Sequence, residues 1–161
     1  MPEFFDDGVG ATVTATAVDE KAFRNGATTV TPRRVNHAPG VPIFGFRLDD
    51  GDSSMAYIPD VEDLDDAHRR PVLELADSID LLIHGAHHTA TEDENPAQPR
   101  ALQRRGGCRL AREAGVYQIV WSHRHPDHND DVIDGIASAH TDGDLSVEAV
   151  AERTEYVLEP S

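Results

Sequence analysis

Ile43-Phe44-Gly45-Phe46-Arg47-Leu48-Asp49-Asp50-Gly51-Asp52-Ser53-Ser54-Met55-Ala56-Tyr57-Ile58-Pro59-Asp60 contains two strand-like runs joined by a turn. Ile43 to Leu48 alternates apolar and other residues, and Ser54 to Ile58 follows after the turn. Asp49-Asp50-Gly51-Asp52 between them has the composition of a tight connection, so the stretch predicts a β-hairpin. Before it, Thr28 to Val35 is again strand-like, with Pro32 suggesting a sheet edge or a bulge. Ala11 to Ala17 alternates and is rich in β-branched residues, which predicts one more strand.

Beyond the hairpin the pattern changes. Val72 to Ala76 reads as helix and Leu81-Leu82-Ile83 as a buried strand. Ala101 to Ala114 reads as helix, weakened at Gly106-Gly107, and Ile119-Val120-Trp121 as a second buried strand. Asp131 to His140 is amphipathic, and Leu145 to Leu158 predicts a closing strand or two. Asn95 to Arg100, with Pro96 and Pro99, is a loop. An antiparallel half followed by alternating α and β segments predicts an α/β fold, a mixed sheet with helices on its outer side.

The chain has 161 residues, 30 acidic against 14 basic, and a formal net charge of -16. That is room for one domain with a core. Lys21 is the only lysine. The acids are spread along the chain, at Asp6-Asp7, Asp49-Asp50-Asp52, Glu62-Asp63-Asp65-Asp66, Glu92-Asp93-Glu94 and Asp130-Asp131. Spread acids and avoided lysine favour a halophilic protein over a dedicated acidic binding surface, and they exclude non-specific binding of nucleic acid. No apolar run is long enough for a membrane span. Met1 to Asp7 lacks the basic and apolar regions of a secretory signal, and a single cysteine, Cys108, fits a reducing compartment; the expectation is a cytoplasmic protein. Cys108 on a helical pattern reads as a packed thiol. No Gly-x-x-x-x-Gly-Lys loop exists, and Ser53-Ser54 and Ser122 have no nucleophile-elbow context.

There are nine histidines. His37, His84 and His123 each stand at or just after a strand end, and so does Asp60. Strand-end loops are where α/β proteins carry functional groups. Taken singly, each histidine has an ordinary reading as a hydrogen-bonded or solvent-facing side chain. Their repeated position argues for convergence on a divalent metal, with Asp60 able to bridge two ions.

Asn36-His37-Ala38-Pro39-Gly40, Phe44-Gly45-Phe46-Arg47-Leu48 and Ala56-Tyr57-Ile58-Pro59-Asp60-Val61-Glu62 resemble the middle of a metallo-β-lactamase-fold hydrolase. The similar branch contains phosphodiesterases and tRNA 3′-processing endonucleases. Ile79 to His84 resembles its next strand. Ala114-Gly115-Val116, Ile119 to His123 and Pro126 to Asp130 resemble its last metal motif. The resemblance runs from about residue 10 to 140. It implies an incomplete αββα sandwich over residues 1–161, N-terminally truncated. It implies His37, Asp60 and His123 as metal ligands, with His84, His87 and His128 near the site. Asp60 and His128 are the expected catalytic groups; His84, His125 and Asp127 are alternates as ligands. The implied cofactor is Zn²⁺, one or two ions, and the implied substrate a small-molecule or nucleotide or RNA phosphodiester.

Three departures bear on activity. The family's N-terminal His-x-His-x-Asp-His segment is expected ahead of Met1, Asn95 to Gly107 lacks the histidine that would touch substrate phosphate, and the aspartate the family carries after the strand-end histidine is Gly85 here. His123-Arg124-His125-Pro126-Asp127-His128 itself spells His-x-His-x-Asp-His, as a rearranged chain would. However, Asn129 to Ser161 is too short for the rest of the fold. With Asp60 shared, each ion would keep two protein ligands where catalytic zinc usually has three. The expectation is an impaired hydrolase that self-associates or needs a missing N-terminal half, or an inactive remnant serving as an interaction module.

Overall fold

The structure is a computed structural model, and it describes residues 16–38, 41–61, 66–85, 103–123, 129, 131–132, 134–135 and 143–158. The strands are β1 (Phe23–Asn25), β2 (Thr28–Ala38), β3 (Val41–Asp49), β4 (Ser54–Ile58), β5 (Leu81–Gly85), β6 (Gln118–Ser122) and β7 (Ser146–Ala149). Among the described residues the two helices with complete bounds are α1 (Asp66–Ala76), between β4 and β5, and α2 (Gln103–Glu113), between β5 and β6. The seven described strands form one sheet in the order β1-β2-β3-β4-β5-β6-β7. The first four are antiparallel and the last four parallel, so β4 is the strand at which the sheet changes character.

The predicted hairpin is β3–β4, in register Phe46↔Tyr57 to Asp49↔Ser54. Its turn is closed by Asp50, whose carboxylate accepts from the N–H groups of Asp52 at 3.1 Å and Ser53 at 2.8 Å. Those two bonds hold the Asp50 carboxyl below its ordinary pKa. Gly51 takes φ 106°, which a side chain would resist. Pro32 lies past the end of β1, whose pairing stops at Val30, on the stretch of β2 where a missing N–H is tolerated. The irregularity in β2 comes later than Pro32, between Val35 and Ala38.

Both helices cover one face of the sheet, α1 over β2, β3 and β4, and α2 over β5 and β6. The core lies between: Val35, Ala56, Ile58, Leu82, Ile119, Trp121 and Val147 from the strands meet Val72, Leu75, Leu110 and Ala111 from the helices. Burying each large apolar side chain contributes about 1.5–3 kcal/mol. Gly45 lets α1 sit close, since a Cβ there would come within 2.7 Å of Leu75 Cδ1. α2 ends in a Schellman motif: Val116 N–H donates to Ala111 C=O at 2.8 Å, Gly115 N–H to Arg112 C=O at 3.2 Å, and Gly115 has φ 73°. Asp80 fixes the start of β5 against β4 by accepting from Ser54 N–H at 2.7 Å and Ser54 Oγ at 3.1 Å.

The expected α/β class and mixed sheet are observed. The expected sandwich is incomplete, and the described residues supply one mixed seven-stranded sheet with both helices on a single face of it. α1 starts at Asp66, ahead of the Val72 read from sequence, and runs through Pro71. The predicted strand at Ala11 to Ala17 lies mostly outside the described residues, and Thr16 and Ala17 are irregular. Of the helix predicted from Asp131 to His140, Asp131, Val132, Asp134 and Gly135 are helical and the rest lies outside the described residues. The closing segment is strand only from Ser146 to Ala149. No helix among the described residues is long and apolar enough to cross a membrane.

Candidate metal centre

At the end of β2 the register changes from Val35↔Ile43 to Ala38↔Val41, so β2 carries one residue more than β3. This bulge contains Asn36 and His37 and re-aims their side chains. β4 ends at Ile58, and Pro59 leads into Asp60. β6 ends at Ser122, and His123 follows with φ 49°, a left-handed backbone that non-glycine residues adopt at some cost. Ser122 Oγ donates to the carbonyl of His84 at 3.3 Å, tying the exit of β6 to that of β5.

These local devices bring three predicted residues together. His37 Nε2 lies 3.2 Å from Asp60 Oδ2, and His123 Nε2 lies 3.6 Å from the same oxygen. The side chains are 27%, 25% and 46% exposed for His37, Asp60 and His123, so the group is open to solvent on one side. The first distance is ion-pair contact; the second is beyond a hydrogen bond. Among the described residues no three His, Cys, Asp or Glu side chains form a ready-made metal cage. The distances explain why: the common point is the carboxylate oxygen itself, with two imidazoles aimed at it. In kind, two imidazole nitrogens and a carboxylate oxygen suit zinc or iron. In number they fall short of a catalytic zinc site unless further donors join.

His84 is brought elsewhere. It is in phase with Leu82 on β5, and its ring is buried on the helix-covered face. Nδ1 lies 3.0 Å from the carbonyl of Gly85. A carbonyl can only accept, so Nδ1 carries the proton. Nε2 has no hydrogen-bond partner among the described residues, and the ring meets Trp121 edge-on at 5.8 Å and 84°. Burial pushes the His84 pKa down, outweighing the Gly85 carbonyl, and keeps the ring neutral. As an alternate ligand it is therefore separated from the Asp60 group by its orientation. His87, His125, Asp127 and His128 lie outside the described residues.

Two residues of this region had no role of their own in the sequence reading: Gly85 was noted only where the resembled family has an aspartate, and Ser122 only within the last motif. Gly85 lies under the carbonyl of Pro59, and a Cβ there would stand 1.9 Å from that oxygen. Ser122 makes the bond to His84 just described. A glycine directly after a strand-end histidine was the available signal for the first. Two clefts lie away from the group: about 340 Å³ lined by Arg112, Val116, Tyr117 and Leu145, and about 170 Å³ lined by Leu48, Ser54, Met55 and Leu158. Volume alone does not make a site, and neither cleft gathers the chemistry found at the strand ends.

This mixed sheet with its covering helices matches a metallo-β-lactamase-like α/β fold, present in part. The structure is similar to the metallo-β-lactamase fold protein YhfI from Bacillus subtilis, with a TM-score of 0.58 at 20% identity, covering 81% of this chain and 49% of that one. It is similar to a diphosphatase of the PhnP family, with a TM-score of 0.58 at 18% identity, covering 89% and 49%. It is also similar to human tRNase Z, short form, with a TM-score of 0.52 at 18% identity, covering 66% and 41%. The chain thus spans about half the length of the solved structures it matches. No protein-family model and no curated protein sequence matches it.

Proposed function

We propose that this chain carries part of the metal centre of a hydrolase acting on a phosphodiester or related ester, with zinc as the ion. The observation that carries the reading is the convergence of His37 and His123 on one oxygen of Asp60. The fold shared with a diphosphatase and a tRNase Z supports the substrate class by analogy. His37 and His123 would each present Nε2 to an ion, and Asp60 would bridge. Bound there, a divalent ion supplies Lewis acidity and an acidified water nucleophile. The chain's own contribution is orientation: the bulge aims His37, the left-handed backbone aims His123, and Asp60 is fixed between them. Protons compete for the same imidazole nitrogens, so occupancy falls on acidification. His128 is the second catalytic group that the resemblance implies.

The donor count favours a chain of low activity on its own, either completed by donors from elsewhere or retained as a non-catalytic module. The single buried cysteine and the dispersed acids support a reducing, salt-rich cytoplasm as its setting. The test is metal analysis of the purified chain, alongside turnover of a chromogenic phosphodiester. Near-stoichiometric zinc that is lost on His123→Ala supports the centre, and turnover lost with it supports the hydrolase. Bound zinc without turnover supports the module. No bound zinc in the wild type removes the metal reading.

A further inference from the structure

Gly85 is the last residue of β5, and its neighbour across the sheet edge is the Pro59–Asp60 segment leaving β4. A Cβ on Gly85 would stand 1.9 Å from Pro59 O, 2.9 Å from Pro59 C and 3.6 Å from Asp60 N. Non-bonded carbon and oxygen atoms do not approach so closely, and the clash is with backbone, which cannot swing aside as a side-chain tip can. Gly85 is not among the residues with a positive φ, so its backbone does not itself demand glycine. What demands it is the space the Pro59 carbonyl occupies.

The same residue is held from its other side. Its own carbonyl accepts from His84 Nδ1–H at 3.0 Å, inside the core, where the His84 ring is wedged on Trp121. The carbonyl of His84 accepts from Ser122 Oγ, one residue before His123. The end of β5 is therefore a fixed floor, anchored in the core, between the segments that deliver Asp60 and His123.

We propose that Gly85 is a positioning residue for Asp60: its missing side chain lets the Pro59 carbonyl rest on β5, and this sets where the Asp60 carboxylate meets His37 and His123. The inference rests on the metal-centre reading above for its consequence, and on the backbone contact for its cause. Outer contacts that orient ligands typically govern about 10–100-fold in metal affinity.

The experiment measures Co²⁺ binding to the full chain by its visible absorption, for the wild type, Gly85→Ala and Gly45→Ala. Gly45→Ala is the packing control, because its Cβ would press Leu75 Cδ1 at 2.7 Å. That clash is under α1, on residues other than Pro59, Asp60, His84 and Trp121. The expected result is a loss of about ten-fold or more in affinity, with altered band positions, for Gly85→Ala, and wild-type bands for Gly45→Ala. Equal affinity and bands in Gly85→Ala and wild type, or equal losses in both variants, would overturn the proposal. If Gly85→Ala fails to fold, Asp60→Glu takes its place: the carboxylate is kept but lengthened. A loss of similar size then supports a fixed height for Asp60, and wild-type binding overturns it. If the wild type itself binds no Co²⁺, the metal-centre reading fails separately. A metal-free crystal structure of Gly85→Ala then decides: Asp60 moved off His37 upholds the positioning role, and the wild-type 3.2 Å contact refutes it.

Discussion

His37 and Asp60 meet at 3.2 Å although the whole of β3 lies between the strands that carry them. The bulge lengthens β2 by one residue, and two residues beyond β4 complete the reach. The pair is about a quarter exposed, so its direct worth to stability is small, below about 1 kcal/mol. Asp60→Ala should therefore leave the urea midpoint nearly unchanged while removing bound zinc, because both imidazoles lose the oxygen they share. Wild-type zinc content in that variant, measured by elemental analysis, would contradict the assignment of Asp60.

His84 should make the fold acid-sensitive. Its pKa is lowered in the folded state by burial, so the unfolded chain takes up a proton first as pH falls through the ordinary histidine range. The stability is fully present above about pH 6.5 and declines below it, by at most about 1.4 kcal/mol per pH unit from this one group, until the folded pKa is passed. Urea unfolding between pH 7.5 and pH 5 measures the slope. His84→Phe, which keeps an aromatic ring against Trp121, should flatten it; an unchanged slope would place the effect on other groups.

Asp80 should be worth more than its position at a strand start suggests. Its carboxylate receives both the backbone N–H and the hydroxyl of Ser54, and its own N–H returns a bond to Ser54 C=O at 3.1 Å. Asp80→Ala leaves the Ser54 donors facing nothing in a half-buried place, at a cost of about 1–3 kcal/mol. Chemical denaturation gives the number, and a loss under about 0.5 kcal/mol would mean that water replaces the carboxylate without penalty.

Cys108 should be inert while the chain is folded. Burial raises its thiol to a pKa of about 11, against a smaller lowering effect of Arg112. The thiolate is the reactive form. A thiol reagent at pH 8 should label the native protein far more slowly than the urea-unfolded one. Equal rates would show that α2 opens readily.

The hairpin and the two buried strands were legible because their signals are local. Alternation with an Asp-Gly turn marks β3–β4, and short apolar runs mark β5 and β6. β1 was not legible: Phe23, Arg24 and Asn25 are all exposed and form a strand only because β2 folds back on them. Pro71 hid the first turns of α1, since proline inside a helix argues against one. At the site, strand-end position singled out His37, Asp60 and His123, whose side chains stand together around one Asp60 oxygen. It did not distinguish His84, because which face a strand residue takes depends on its phase, and His84 shares the phase of Leu82. Gly85 was legible only as a departure from the resembled motif; its contact with the Pro59 carbonyl, on the segment that follows β4, is not visible in spacing along the chain.

The seven strands lie side by side in the order in which they occur along the chain. Each new strand can therefore dock on the growing edge left by the previous one, and none has to wait for a later segment to be inserted between neighbours. Synthesis in the N-to-C direction can lay down the described strands progressively, antiparallel hairpins first, with the slower helical crossovers added onto an existing template.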